Sequence, residues 1–241
     1  MMQGQFIHFI KIITPYALGA VFLLIYISEH IFPQRRDLID HRHDLLNVLV
    51  GLINMGLVFI GGYYFQQLIE FCNTRHWGML QWIKIPFLIE LLIGVLLIDC
   101  FLYWWHRVNH IIPFFWFFHK FHHKDEKMNS TTAVRFHTGE LVLSYLVKII
   151  LFPLLGISLG AVLLHAFLLF PVILFHHSNL KISTKKDMLL RKLMVTPQMH
   201  RVHHSVIKYD TDSNYSSLLP YWDMIFKTYH KKTEEPIEFG I

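Results

Sequence analysis

Charge is scarce in this sequence. Only 16% of its 241 residues are Asp, Glu, Lys or Arg, against 54% hydrophobic ones, whereas a soluble domain carries about 25% charged residues. So few charges exclude a chain wetted on all sides and point to lipid as its solvent. Cysteine is nearly missing too. Cys72 and Cys100 are the only two, which excludes a disulfide framework and a Cys-rich zinc site. There is no HExxH and no GxGxxG, which argues against a zinc protease and a dinucleotide fold. Internal repeats and low-complexity segments are also absent. The formal charge of +5 is scattered along the chain with no basic helix or RNA-binding motif. No nucleic-acid partner is therefore expected.

What the chain does have is long apolar runs. Phe9 to Ile27, Leu45 to Tyr64 and Pro86 to Trp105 are each long enough to span ~30 Å of hydrocarbon. The segment after the first, SEHIFPQRRD, has no small-residue cleavage pattern, so an uncleaved anchor is expected. Leu141 to Phe175 is interrupted near Pro153 to Gly160, which suits two short helices in a hairpin returning to the side they left. The expected fold is an all-α integral membrane bundle of about four spans plus a re-entrant or interfacial helix. A cytosolic helical cap would carry the polar motifs. Residues 1–85 would be an N-terminal anchor and residues 86–241 the catalytic domain. Of the 22 Lys and Arg, 18 fall in segments on one side of these spans. The positive-inside bias makes that side cytoplasmic.

It also has 18 histidines, and many are regularly spaced. His106 and His110 stand four apart. His119, His122 and His123 follow at i, i+3, i+4, and His200, His203 and His204 repeat that spacing. On helices these spacings put imidazoles on one face. His176 and His177 form a further pair where the hairpin re-emerges. Imidazole is the commonest protein metal ligand near neutral pH. Gathering so many beside lipid without a metal would be costly. The donor set alone suits zinc, copper, iron or nickel. The remaining histidines, among them His8, His30, His41, His43, His76, His165 and His230, read as ordinary hydrogen-bonded interfacial residues. Asp99 and Tyr103 share one helix face with His106 and His110. Asp99 is expected to orient His106, directly or through Tyr103.

The stretches DCFLYWWHRVNH, FHKFHHKDEKMNSTTAVRFHTGE, FHHSN, TPQMHRVHHS and NYSSLLPYWDMIFKT, from about Ile98 to Thr228, resemble the fatty acid hydroxylase/sterol desaturase superfamily of membrane di-iron oxygenases. The order HxxxH, HxxHH, HSN-type histidine and final HxxHH carries the resemblance. It implies two non-haem iron ions held by His106, His110, His119, His122, His123, His177, His200, His203 and His204. It implies O2 as co-substrate and hydroxylation or desaturation of a sterol, fatty acyl or related lipid at an unactivated C–H bond. His137 and Glu140 lie in RFHTGE, which lacks the family's proline, and are expected around the ligands or on the substrate side. His176 and Asn179 are further possible ligands or supports. Ser216 and Lys227 stand where the family usually has glycine, which bears on substrate type.

The residues also speak without the family name. Oxidising such a bond is beyond side chains, so a metal must carry it. No haem, flavin or nucleotide motif supplies electrons, which implies a separate cytochrome, ferredoxin or reductase. The aromatic run Phe114 to Phe118 (FFWFF) is read either as a channel wall or as plain lipid-facing packing. The rival class is a non-enzymatic membrane protein that binds metal or haem.

Overall fold

The structure is a computed structural model describing residues 2–231 and 236–241. Lys232, counted with the cytoplasmic bases, lies outside the described residues. Among the described residues there is no strand beyond two isolated bridges, Pro33 with Leu180 and Ser205 with Phe239. The helices are α1 (Met2–Ile31), α2 (His41–Thr74), α3 (Phe87–Ile111), α4 (Pro113–His123), α5 (Thr138–Leu155) and α6 (Leu159–His177). They are followed by α7 (Thr184–Leu190), α8 (Pro197–His203), α9 (Lys208–Thr211) and α10 (Tyr221–Ile225).

Five helices, α1, α2, α3, α5 and α6, are long and apolar enough to cross a membrane. Both arms of the α5–α6 hairpin are in that set, and the five candidate spans agree with the expected all-α membrane bundle. The chain is an integral membrane protein with a helical cap. Its outer surface carries bare apolar side chains, with Phe59, Ile53 and Leu88 exposed at 78%, 73% and 71%. Lipid makes such exposure inexpensive.

Inside the bundle, Phe65, Ile69, Leu91, Ile98, Phe152 and Ala161 form one core. Helices α3 and α6 approach so closely that a Cβ on Gly94 would sit 2.5 Å from that of Ala161. Small residues permit this packing where lipid gives no hydrophobic drive between helices. At the far end of the bundle the hairpin turn is latched to the loop after α2. Gly78, at φ +101°, has no room for a Cβ, which would lie 2.2 Å from the Pro153 carbonyl. Asn73 donates to the Ile157 carbonyl at 3.1 Å and accepts from the Leu159 N–H at 2.9 Å.

At the near end, Pro113 starts α4 one residue after α3 stops. Proline suits the first helical position because its missing N–H is not needed there. The corner folds α4 back beside the last turns of α3, which brings the first two histidine motifs together. The first two helices also enter the cap. Glu29 on α1 is 1% exposed and accepts from the Ser130 and Asn179 N–H groups at 3.1 and 2.7 Å.

Candidate metal centre

Nine histidines gather where α3, α4, α6 and α8 end. One group is His106, His110, His119, His123 and His203. The other is His122, His177, His200 and His204. In each group the ligand atoms lie within 4.8 Å of one another. These are the nine residues named as ligands by motif, divided between two neighbouring sites.

The outer ring nitrogens are anchored. His106, His122, His177 and His203 each donate from Nδ1 to a backbone carbonyl, of Tyr215, Arg135, Ile173 and Ser213, at 2.7–3.1 Å. His119 donates from Nδ1 to Glu140 at 2.9 Å, and Asn109 donates to the same oxygen at 3.3 Å. A ring whose proton is held on Nδ1 turns a lone pair on Nε2 inward, as a metal ligand requires. The inward atoms crowd: Nε2 of His177 lies 3.1 Å from that of His122 and 3.0 Å from that of His200.

Burial and neighbouring imidazoles hold His122, His123, His200 and His204 well below the usual imidazole range. Burial, chiefly, pushes His203 down to about 3. These rings are therefore neutral, the form that binds metal. Several of their nitrogens are buried with no protein partner, including Nε2 of His203 and both nitrogens of His110 and His204. Orphaned buried polar atoms are costly. Two metal ions would satisfy them, so the donor set fits two ions held by nitrogen ligands.

The other candidates fall elsewhere. Asp99 does not touch His106. Its Oδ2 accepts from the Leu219 N–H at 3.1 Å and from Trp222 Nε1 at 2.7 Å, tying α3 to the loop before α10. The seven positions from Asp99 to His106 are ~10 Å of helix, too far for a direct contact. Tyr103 meets Thr228 at 2.8 Å. His137 accepts from the Gly139 N–H and caps α5. Asn179 exchanges hydrogen bonds with the Arg35 backbone. His176 is 1% exposed and packs 4.0 Å from the His200 ring centroid, but it belongs to neither group. Glu140 alone of these supports holds a ligand directly.

A second layer went unread in the sequence. Asn47 on α2 is fully buried. It donates to Asp125 and Thr131 and accepts from Arg135 at 2.9 Å. His43 pairs with Asp125 at 2.5 Å. This network shapes the segment whose Arg135 carbonyl anchors His122. The signal was there: Asp44, Asn47, Gly51 and Asn54 fall at i, i+3, i+7 and i+10, one face of a helix.

Beside both groups lies a cavity of about 240 Å³. Its lining includes Trp105, Phe136, Leu169 and Ile173 and reaches His106, His119, His122, His177 and His200. The run Phe114 to Phe118 lines none of it. Phe114 and Phe117 are exposed at 58% and 59%, as lipid-facing packing would be.

Residues 91–228, more than half the chain, match the family model described as fatty acid hydroxylase. Among curated relatives, human (Homo sapiens) alkylglycerol monooxygenase is 31% identical over 140 residues, 58% of this chain and 30% of that protein. The Danio rerio alkylglycerol monooxygenase is 32% identical over 141 residues, 58% of this chain and 30% of its own length. Ornithine lipid hydroxylase OlsE of Rhizobium tropici is 28% identical over 150 residues, 62% of this chain and 44% of that protein. The chain thus spans less than half the length of each. No solved structure matches it.

Proposed function

The chain belongs to the fatty acid hydroxylase family, and from that premise we propose that it is an O2-dependent, di-iron membrane oxygenase that hydroxylates a lipid at an unactivated C–H bond. The observation that carries the reading is the meeting of two histidine groups with one apolar-walled cavity. Hydroxylation is preferred over desaturation because the relatives are named for monooxygenation and hydroxylation.

Iron bound by the nine histidines would supply C–H oxidation with oxygen. The balance is R–H plus O2, two electrons and two protons, giving R–OH and water. The protein's own part is binding and orientation. Glu140 and the four backbone carbonyls hold the rings with their lone pairs inward. Trp105, Phe136, Leu169 and Ile173 would exclude water and seat an acyl or similar chain against the histidines. The two electrons come from a separate electron-transfer protein. The Lys/Arg bias supports a site on the cytoplasmic side, within reach of such a donor.

The test is iron content together with lipid analysis. The purified protein should carry about two iron ions per chain. A host expressing it should accumulate an oxygenated lipid that is missing when His203→Ala replaces it. Stoichiometric zinc without iron-dependent turnover would overturn the di-iron reading. A Soret band would point to haem.

A further inference from the structure

A third cluster of ligand-type side chains sits where α1 hands over to α2, apart from the nine histidines. His30 is in the last turn of α1, His41 is the first residue of α2, and Asp44 lies one turn further on. Each offers one ligand atom, and the three atoms lie within 4.8 Å of one another. The protonation of His30 is dictated by its neighbour. Its Nδ1 lies 2.7 Å from the Tyr26 carbonyl, which can only accept, so the proton of a neutral ring sits on Nδ1. Nε2 is then a bare lone pair. That nitrogen is buried with no hydrogen-bond partner and stands 3.4 Å from Oδ2 of Asp44. Two acceptors set face to face at this distance are reconciled by a metal ion between them or by a proton on Nε2.

The surroundings select the kind of cation. His41 stacks on His30 with ring centroids 5.3 Å apart, and its Nδ1 is 3.9 Å from the same Asp44 oxygen. The carboxylate is held in place from outside. Tyr26 donates to Oδ2 at 3.0 Å and Asn129 donates to Oδ1 at 2.7 Å. His43 Nδ1 also faces Oδ1, at 3.4 Å. Ligating carboxylates are characteristically fixed by such outer donors. Tetrahedral zinc with bonds of ~2.0–2.1 Å sets neighbouring ligand atoms ~3.4 Å apart. The His30–Asp44 separation already has this value, and His41 Nδ1 is about half an ångström further from the same Asp44 oxygen.

We propose that His30, His41 and Asp44 form a third metal site, for one zinc-type divalent ion, which staples the end of α1 to the start of α2. Two imidazoles and a carboxylate without thiolate suit a borderline first-row ion. The side chain of His41 is 77% exposed, so the remaining coordination position opens to water. The ion would close the turn of residues 32–40 and, through Asn129, fix the segment after α4.

The experiment is zinc binding by the full-length protein in detergent, stripped with a chelator and reloaded with Zn2+ alone. Wild type should retain about one ion per chain more than His41→Ala, because losing one of three ligands empties the site. His41→Ala removes an exposed side chain, so folding is not in question. A positive signature comes from His41→Cys loaded with Co2+, which should show thiolate-to-cobalt charge transfer that His30→Gln/His41→Cys lacks. In a His123→Ala/His200→Ala background, whose main centre is crippled, zinc should still raise Tm, and adding His30→Gln should remove the shift. Equal zinc content in wild type and His41→Ala, with no charge-transfer band in His41→Cys, would overturn the proposal. The pair would then be a protonated His30 against Asp44.

Discussion

The group around His110 draws five imidazoles from α3, α4 and α8, while the group around His177 draws four from α4, α6 and the end of α8. They differ as much in surroundings as in number. The rings of Trp116 and Tyr215 close over His110, with centroids 5.0 and 5.2 Å away. Of the larger group only His106 and His119 reach the cavity, while of the smaller group His122, His177 and His200 do. Both groups meet the cavity, and the group with fewer nitrogens opens the larger share of its rings to it. Sites that bind a small reactant keep a coordination position free, and sites that only hold an ion are closed. The comparison teaches that the two positions differ in degree: the larger group is more enclosed, and the smaller has more of its rings beside the cavity.

The largest expected effect tests that inequality. His204→Ala leaves three nitrogens in the smaller group, and His110→Ala leaves four in the larger. His204→Ala should abolish product and shed about half the bound iron, while His110→Ala keeps most of its metal. Iron per chain and product per iron at matched membrane expression decide it, and equal losses would remove the asymmetry. Next comes Glu140→Ala, which frees the His119 ring and should cost on the order of 10- to 100-fold in metal affinity or turnover. An unchanged iron titration would show that packing alone orients His119.

Acid should act on both groups of the metal-stripped protein. His203 sits at about 3 in the fold, and His122, His123, His200 and His204 are likewise depressed. Below ~6.5 the unfolded chain takes up protons that the folded rings refuse, so stability is full above that pH and falls from ~6.5 toward 3. Thermal melting across this window reads the slope, and a flat profile would mean that the rings protonate in place. Asp99→Asn is a smaller matter for the metal. It weakens the contacts to Leu219 and Trp222, which should cost about 1–3 kcal/mol of stability with iron loading unchanged. At the bottom of the scale, His8→Ala and His76→Ala should leave turnover within about twofold, as surface substitutions do.

Eight of the nine clustered histidines were legible because i, i+3 and i+4 spacing on a helix is written in nearby residues and survives any tertiary arrangement, whereas His177 came only from the family resemblance. The long apolar spans were legible for the same reason. What sequence could not show was partnership across distance. Asp99 shares a face with His106, but a shared face is not a contact when ten ångströms of helix intervene. Asn47 meets Asp125 and Thr131 from 78 and 84 residues away, and Glu29 meets Ser130 from 101 residues away. Such pairs depend on how α1 and α2 lie against the cap, which no local pattern encodes. His43 is hydrogen-bonded, as read, but a lone histidine carries no trace of its partner, an aspartate 82 positions on.

The latch at Gly78 has a consequence for how the molecule is assembled. The Asn73 side chain and the glycine can engage the α5–α6 turn only after that hairpin has been threaded across the bilayer. Once the turn is seated, α5 and α6 act as rods of known length, 18 and 19 residues or ~27–28 Å. The rods then set the height at which Glu140 and His177 emerge at the opposite end. Biogenesis would therefore proceed in a fixed sequence, with the ligand-bearing ends brought level last. A bulky residue at position 78 would be felt first as a failure of maturation, in a protein whose histidines are all intact.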